Sequence, residues 1–309
     1  MNPPTPVAAV HVRRFPTNPI IRPRMDARMG DNINGPSLVR APDWVARPLG
    51  RYYLYFGHHR GTYIRLAYAD DLAGPWRTYE PGVLDLTGSY FVKHIASPDV
   101  LVDGSRREVR LYYHGPLAEG DRHGPHGRHG QATRVAISTD GLHFTARAEV
   151  LGAPYMRLFR WGDWYYGIAM PGIVYRSRDG LAGFEEGHNP FAAIATDMRH
   201  AAVLRDGDLL YVFYTNRGDC PERILLTTLD LTKEWTAWRA TEPVPVLEPE
   251  LPYEGADRPL VPSRGGPILE PARQLRDPYV FQEDGRTYLL YAVAGEQGIA
   301  IAEIAIIRK

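Results

Sequence analysis

The stretch QLRDPYVFQEDGRTYLLYA, residues 274–292, decides the fold. It opens on Arg-Asp-Pro, alternates apolar and polar residues into a polar turn, and leaves through a Tyr-rich run. That pattern is a strand, a tight turn and a second, antiparallel strand. The phrase recurs. Five Tyr-rich runs, RYYLYF (51–56), VRLYYH (109–114), DWYYGI (163–168), LLYVFY (209–214) and TYLLYA (287–292), start about 58, 54, 46 and 78 residues apart. Each follows an apolar strand across a polar turn (PSLVRAP, SPDVLVD, YMRLFRW, AAVLRDG and DPYVFQEDG). Each precedes a third strand, as in TRVAISTDGLHF and GIVYRSRDGLAGF, and in four cases the next turn closes on Trp or Phe.

This spacing is that of four-stranded propeller blades with variable loops. The chain reads as all-β: a single five-bladed β-propeller with blades of four antiparallel strands. One domain spans 1–309, with blades at about 33–80, 95–147, 153–187, 198–240 and 275–309. The chain ends before the fifth blade has a fourth strand, so residues around Val7–Arg13 are expected to supply it and lock the ring. A β-sandwich with irregular hairpins is the competing architecture, but it does not predict a repeated three-strand phrase.

Composition agrees. The 309 residues are 44% hydrophobic and 23% charged, with 30 Gly and 27 Pro to make turns and 19 Tyr against 9 Phe. Thirty-six basic residues balance 36 acidic ones, which points to neither a nucleic-acid nor a membrane partner. Cys220 is the only cysteine, so no intrachain disulfide forms and a cysteine metal site is disfavoured. The opening MNPPTPVAAVHVRRFPTNP lacks the apolar core of a signal peptide, and no window reaches a membrane span. A cytoplasmic protein is expected.

Antiparallel order puts the start of each first strand and the end of each second strand on one face of the ring. Short charged turns fall on the opposite face. The first face receives GHHRGT (57–62), HGPLAEGDRHGPHGRHGQ (114–131) and NRGDCPE (216–222), and most of the histidines lie in or beside its segments. The five entries, NINGPS (32–37), HIASPDV (94–100), GAPYMRLF (152–159), MRHAAV (198–203) and LRDPYV (275–280), should ring a central depression.

Asp277 reads either as an Asp-Pro turn starter or as a carboxylate kept ionised by Arg276, and the site reading is preferred. Asp99, two residues inside its strand, is either a buried structural acid or an axial carboxylate. His200, after Arg199, can exchange a proton near neutral pH. Asp99, His200 and Asp277 are the catalytic candidates. His94 reads as a hydrogen-bonding wall residue. Arg157 shares a strand face with Tyr155, so it either holds a ligand hydroxyl or carboxylate or snorkels between blades. Asn34 suits sugar hydroxyls, although Asn-Gly-Pro is also turn chemistry. Glu222 and Arg223 open a third strand, with a mutual ion pair as the plain alternative. His58, His114, Arg199 and Arg276 complete the candidate binding set. The histidines at 114, 123, 126 and 129 fit no fixed metal-ligand spacing and read as a mobile loop.

RDPYVFQEDGRTYLLYA and ASPDVLVDGSRREVRLYY resemble the Asp-Pro and Ala-Pro-Asp-Val phrases of five-bladed propeller glycosidases of the arabinanase and β-xylosidase type, glycoside hydrolase family 43. The resemblance covers nearly the whole chain as architecture. It implies a carbohydrate site on the axis, with Asp99 as the matching second-blade Asp. It also allows a divalent cation in the axial channel, with His or water as ligands. The departures are specific. The family's first-blade general base falls where this chain has Asn34-Gly35-Pro36, its pKa-tuning Asp where Tyr155, Met156 and Arg157 stand, and its general-acid Glu where Met198, Arg199 and His200 stand.

The favoured reading is a glycoside hydrolase acting on a glycoside or oligosaccharide with a non-standard set: Asp277 and Asp99 as carboxylates and His200 as acid. Related propeller glycosidases use His in this way, which the resemblance makes relevant. A sugar-binding propeller without catalysis is one alternative. The other is a lyase, with His200 and Tyr155 moving protons while Arg157 or Arg199 neutralises a uronate. The oligomeric state is open.

Overall fold

The computed structural model describes residues 7–119, 130–194 and 197–308. Five antiparallel sheets carry the chain. Their innermost strands are Asn34–Arg40, Ala96–Asp103, Arg157–Trp161, Met198–Asp206 and Arg276–Glu283. Each touches the next and the fifth touches the first, which closes a five-bladed propeller.

The Tyr-rich runs are the second strands: Tyr52–Gly57, Glu108–Pro116, Trp164–Ala169, Leu209–Asn216 and Arg286–Ala292. Blades pack face to face, so both sides of such a strand are covered and an alternating pattern is unnecessary. Tyr53 and Tyr55 join Leu111 and Tyr113 between blades one and two, while Leu54 and Phe56 join Leu290 and Ile301 between blades one and five. Five such clusters, one per blade interface, make up the core.

The preference for Tyr over Phe has a local cause. The Tyr55 hydroxyl donates to the Gly141 carbonyl at 2.8 Å, and Tyr112 donates to Gly180 at 2.9 Å. Both acceptors close Ser-x-Asp-Gly turns of the following blade, whose amides bond the turn's own Ser and Asp side chains. Gly141 sits at φ 77, and a Cβ there would lie 2.8 Å from the Tyr55 oxygen. A buried hydroxyl without such an acceptor would be destabilising.

Val7–Arg14 completes the fifth blade, pairing antiparallel with Ile299–Arg308 from Val7↔Arg308 to Arg14↔Ala302. Arg14 Nε meets buried Glu254 at 2.7 Å, and Glu254 also accepts from the Tyr291 hydroxyl at 3.0 Å. The closing strand is therefore held by a ladder and by a charge. Blade four extends past the expected boundary at 240, because Trp235–Ala237 forms a 3-10 turn and the outer strand is Val244–Leu247. Trp238 is buried in the core between blades three and four, and Pro245 is tolerated because that strand is an edge.

Candidate active site at the axial mouth

In four blades the ladder between first and second strand skips a residue at the entry: Asn34/Ser37, Ala96/Asp99, Met198/Ala201 and Arg276/Tyr279. These are β-bulges, which re-aim side chains. Gly35, Ser97 and Asp277 occupy equivalent bulge positions with φ 60, 45 and 49, and Tyr155 holds φ 61 at the third entry. The left-handed conformation costs a non-glycine residue about 1–3 kcal/mol. Asp277 is thus part of a bulge and not a turn starter.

Asp277 Oδ1 pairs with His200 Nδ1, and Oδ2 accepts the Gly35 amide at 3.1 Å. One carboxylate ties together the entries of blades four, five and one. It is 1% exposed and His200 is 5% exposed. Burial alone would raise Asp277, but the His200 ring, Arg276 and Arg199 more than reverse it and hold the carboxyl below its usual range. Burial also lowers His200 below its ordinary value, against the pull of Asp277. The lowered value leaves the ring neutral at neutral pH, donating its Nδ1–H to Asp277 Oδ1. Its Nε2 is buried without a partner among the described residues.

Tyr155 lies against this ring, 4.2 Å between centroids, and His114 lies 3.9 Å from Tyr155 on the other side. Burial, with a contribution from Asp277, raises the Tyr155 hydroxyl, which stays protonated at neutral pH. Burial lowers His114 well below its usual value, helped by His94 and His200. Its Nδ1 also lacks a partner among the described residues. Blades two, three and four therefore contribute a row of His114, Tyr155 and His200 beside Asp277.

A buried charge frame holds the row in place. Glu222 takes Arg199 Nε on one oxygen and Arg276 Nε on the other, both at 3.2 Å, and accepts from the Thr215 hydroxyl at 2.9 Å. Arg276 also donates to Gln274 and reaches Glu296 at 3.0 Å. Burial raises Glu222 despite its two guanidinium partners. Such pairs add little net stability, but they fix position.

The other sequence candidates separate. Asp99 lies deeper, with Oδ2 on the Leu158 amide at 2.8 Å and Oδ1 3.4 Å from Arg157. It is a latch between blades two and three, repeating the bond in which Ser37 Oγ accepts the Val100 amide. Arg157 donates to Pro98 O at 2.6 Å and Ala201 O at 2.9 Å, and its guanidinium lies over Tyr279. It stands in the axial channel below the mouth, beside a 240 Å³ cavity on the channel's lower side. Arg223 points away to Glu248 at 3.9 Å, so Glu222 and Arg223 do not pair with each other. Asn34 is buried at its entry, with Nδ2 on Asn32 at 3.3 Å and Oδ1 without a partner among the described residues. His58 and His94 are half-buried on the rim, and burial lowers both, His58 to about 4. His123, His126 and His129 lie outside the described residues.

An axial cation does not fit these residues. Arg157 supplies the positive charge in the channel, both Asp99 oxygens are engaged, and among the described residues no group of three or more His, Cys, Asp or Glu could hold a metal.

Sequence reasoning missed Asn32, His59 as a site residue, and Glu296. Glu296 Oε1 bonds His59 Nδ1 at 3.1 Å and Oε2 accepts from Asn32 at 2.6 Å. The available signal was AGEQG (294–298), a Gly-flanked acid in a functional-face loop, with Ala294 at φ 47 and Gly295 at φ 81.

The fold places the chain beside known carbohydrate enzymes. It superposes on the GH43_1 enzyme of Xanthomonas citri complexed with xylotriose with a TM-score of 0.60, covering 93% of this chain and 90% of that one at 12% identity. A Cellvibrio cellulosa α-L-arabinanase mutant gives 0.58, covering 87% and 90% at 14% identity. At such identities the likeness is one of fold: the protein is a five-bladed propeller of the architecture used by arabinanases and family-43 glycoside hydrolases. Among the described residues no helix is long and apolar enough to cross a membrane. No protein-family model matches the sequence. The relationship in sequence lies elsewhere: at 36% identity, over 95% of this chain and 90% of the other, the protein belongs to the same family as the uncharacterized protein R118 of Acanthamoeba polyphaga mimivirus.

Proposed function

We propose that the protein is a carbohydrate-active enzyme that cleaves an O-glycosyl bond at the axial mouth, with His200 as the proton-accepting group. The observation that carries this reading is the buried His200–Asp277 pair with an open Nε2. Glu222 and Glu296 are each ion-paired with arginine, and Asp277 is ion-paired with His200 and accepts the Gly35 amide. His200 Nε2 and His114 Nδ1 are the mouth nitrogens left without a partner among the described residues, and they are the proton acceptors of this reading. A neutral ring suits taking a proton from water more than giving one to a leaving group, which reverses the direction expected from sequence. The ionised Asp277 behind it stabilises the imidazolium that forms. The substrate proposed is a glycoside or oligosaccharide of the neutral pentose type, because the fold's neighbours include an arabinanase and a xylotriose complex.

A second reading, elimination from a uronate, is favoured by the Tyr155–His200 contact and by Arg199 close to the same residues. One experiment separates them. The protein is incubated with arabino-, xylo- and uronate-containing oligosaccharides, reading both new reducing ends and ultraviolet absorbance of unsaturated products. Hydrolysis gives reducing ends without absorbance, lost in His200→Ala. Absorbance would replace hydrolysis with elimination. Sugar release unchanged in His200→Ala would remove His200 from the chemistry, and no release by the wild type, with ligand binding weakened in His200→Ala, would leave a binding protein.

A further inference from the structure

The mouth contains a second histidine–carboxylate pair built like the first. His59 Nδ1 lies 3.1 Å from Glu296 Oε1, as His200 Nδ1 lies on Asp277. The two pairs are joined by short links. Arg276 holds Glu296 through its guanidinium and is the residue before Asp277. On the other side, Asn32 donates to Glu296 and its Oδ1 accepts the His59 amide at 2.9 Å and the Asn34 side chain at 3.3 Å. Asn34 precedes Gly35, whose amide sits on Asp277. The unpartnered Oδ1 of Asn34, 3% exposed, thus lies at the junction of the two pairs and invites a donor such as a sugar hydroxyl. His59 is the more open member, 19% exposed at the side chain over a Glu296 that is 2% exposed.

We propose that His59, oriented by Glu296, is the second proton-transfer residue of this site and protonates the leaving glycosidic oxygen while His200 takes the proton of the attacking water. The proposal rests on the hydrolytic reading above. In the step, the water oxygen bonds to the anomeric carbon and its proton goes to His200 Nε2. The anomeric carbon–oxygen bond breaks with its electron pair on the leaving oxygen, which takes the proton from His59 Nε2. One proton is gained and one lost by the protein, and solvent exchange restores both rings. The more open His59 suits a leaving group at the rim, and the buried His200 suits an enclosed water. Among the described residues His59 pairs with Glu296, which Arg276 also holds, and interacts electrostatically with His58, His94 and His114.

The test uses the full chain and the best glycoside found in the substrate screen. It compares an alkyl leaving group with a dinitrophenyl one, which departs without a proton. For His59→Gln, kcat on the alkyl glycoside falls about 10²–10⁴-fold with KM little changed, one limb of the pH–rate profile disappears, and added imidazole restores part of the rate. On the dinitrophenyl glycoside the loss is tenfold or less, on the order of a residual orientation effect. Equal losses on both substrates, an unchanged kcat on the alkyl substrate, or a change in KM alone would each overturn the assignment. A melting curve matching wild type shows that the variant folds; if it does not, Glu296→Gln is read on the same pair of substrates against the same criteria. Failure of the wild type to cleave any glycoside would instead overturn the hydrolytic reading itself.

Discussion

Replacing Asp277 by Asn tests the site at the position where the geometry is most demanding. Asp277 serves two donors, the Gly35 amide on Oδ2 and His200 Nδ1 on Oδ1. Asn has one acceptor oxygen, and the Gly35 amide is a backbone donor that cannot turn round. The amide oxygen therefore goes to Gly35 and the NH2 faces His200. That forces Nδ1 to accept and moves the ring proton to Nε2, which removes the lone pair proposed to take a proton from water. The backbone is not disturbed, since Asn tolerates the φ of 49 held there. A wrong tautomer of this kind costs about 10³–10⁴-fold in kcat, or about 4–5.5 kcal/mol in activation free energy. Folding stability should change by no more than about 3 kcal/mol, the range for one hydrogen bond to a charged group. The assay is kcat and KM on the best glycoside, with the His200 tautomer read from nitrogen-15 NMR of the ring. A variant within tenfold of wild-type kcat, or an unchanged tautomer, would refute the reasoning.

Acid should destabilise the fold through its buried histidines. His58, His94, His114 and His200 all have folded-state values below the free histidine value, so the unfolded chain binds more protons as pH falls through about 6.5. Their contribution is complete above pH 6.5 and declines towards the folded values, near pH 4 for His58, at up to about 1.4 kcal/mol per pH unit for each. Denaturant melts from pH 7.5 to 5 measure the slope, and a flat profile contradicts it. Gly35→Asp, which puts a carboxylate into the first-blade entry, should lower the melting temperature and add no activity. A Cβ there would lie 2.9 Å from the Ser97 Cα, and the φ of 60 suits glycine. Higher activity in that variant would show that the entry has room. Arg157→Met leaves Asp99 buried without its cation, and should cost about 3–5 kcal/mol in denaturant unfolding, whereas chelators should leave the wild-type melt unchanged. A melt that falls with chelator would return a cation to the channel.

Much of the fold was legible. RYYLYF and its four counterparts, spaced like blades, carried the architecture, and the stretch around Val7–Arg13 was recognised as the closing strand. The site was legible only in part. Asp277, His200, Tyr155 and His114 converge, while Asp99, a catalytic candidate from sequence, bonds the Leu158 amide of the next blade. The reason is the bulge. It places Asp277 at the skipped position and Asp99 at the paired position that follows, and those two positions face different levels of the axis. Composition and periodicity do not encode that difference.

By itself, then, the sequence determined that five similar sheets form and that the chain's two ends meet in one of them. Strand period, turn chemistry and two-sided burial are local properties, repeated often enough to be unambiguous. Only the tertiary structure decided which charges face each other: Glu222 took Arg199 and Arg276 and left Arg223 to Glu248, and Glu296 took His59. Two of those choices, Glu222 with Arg276 and Glu296 with His59, join residues of neighbouring blades. Their distances depend on how the blades turn and pack around the ring, to within the few ångströms over which a hydrogen bond is made or lost.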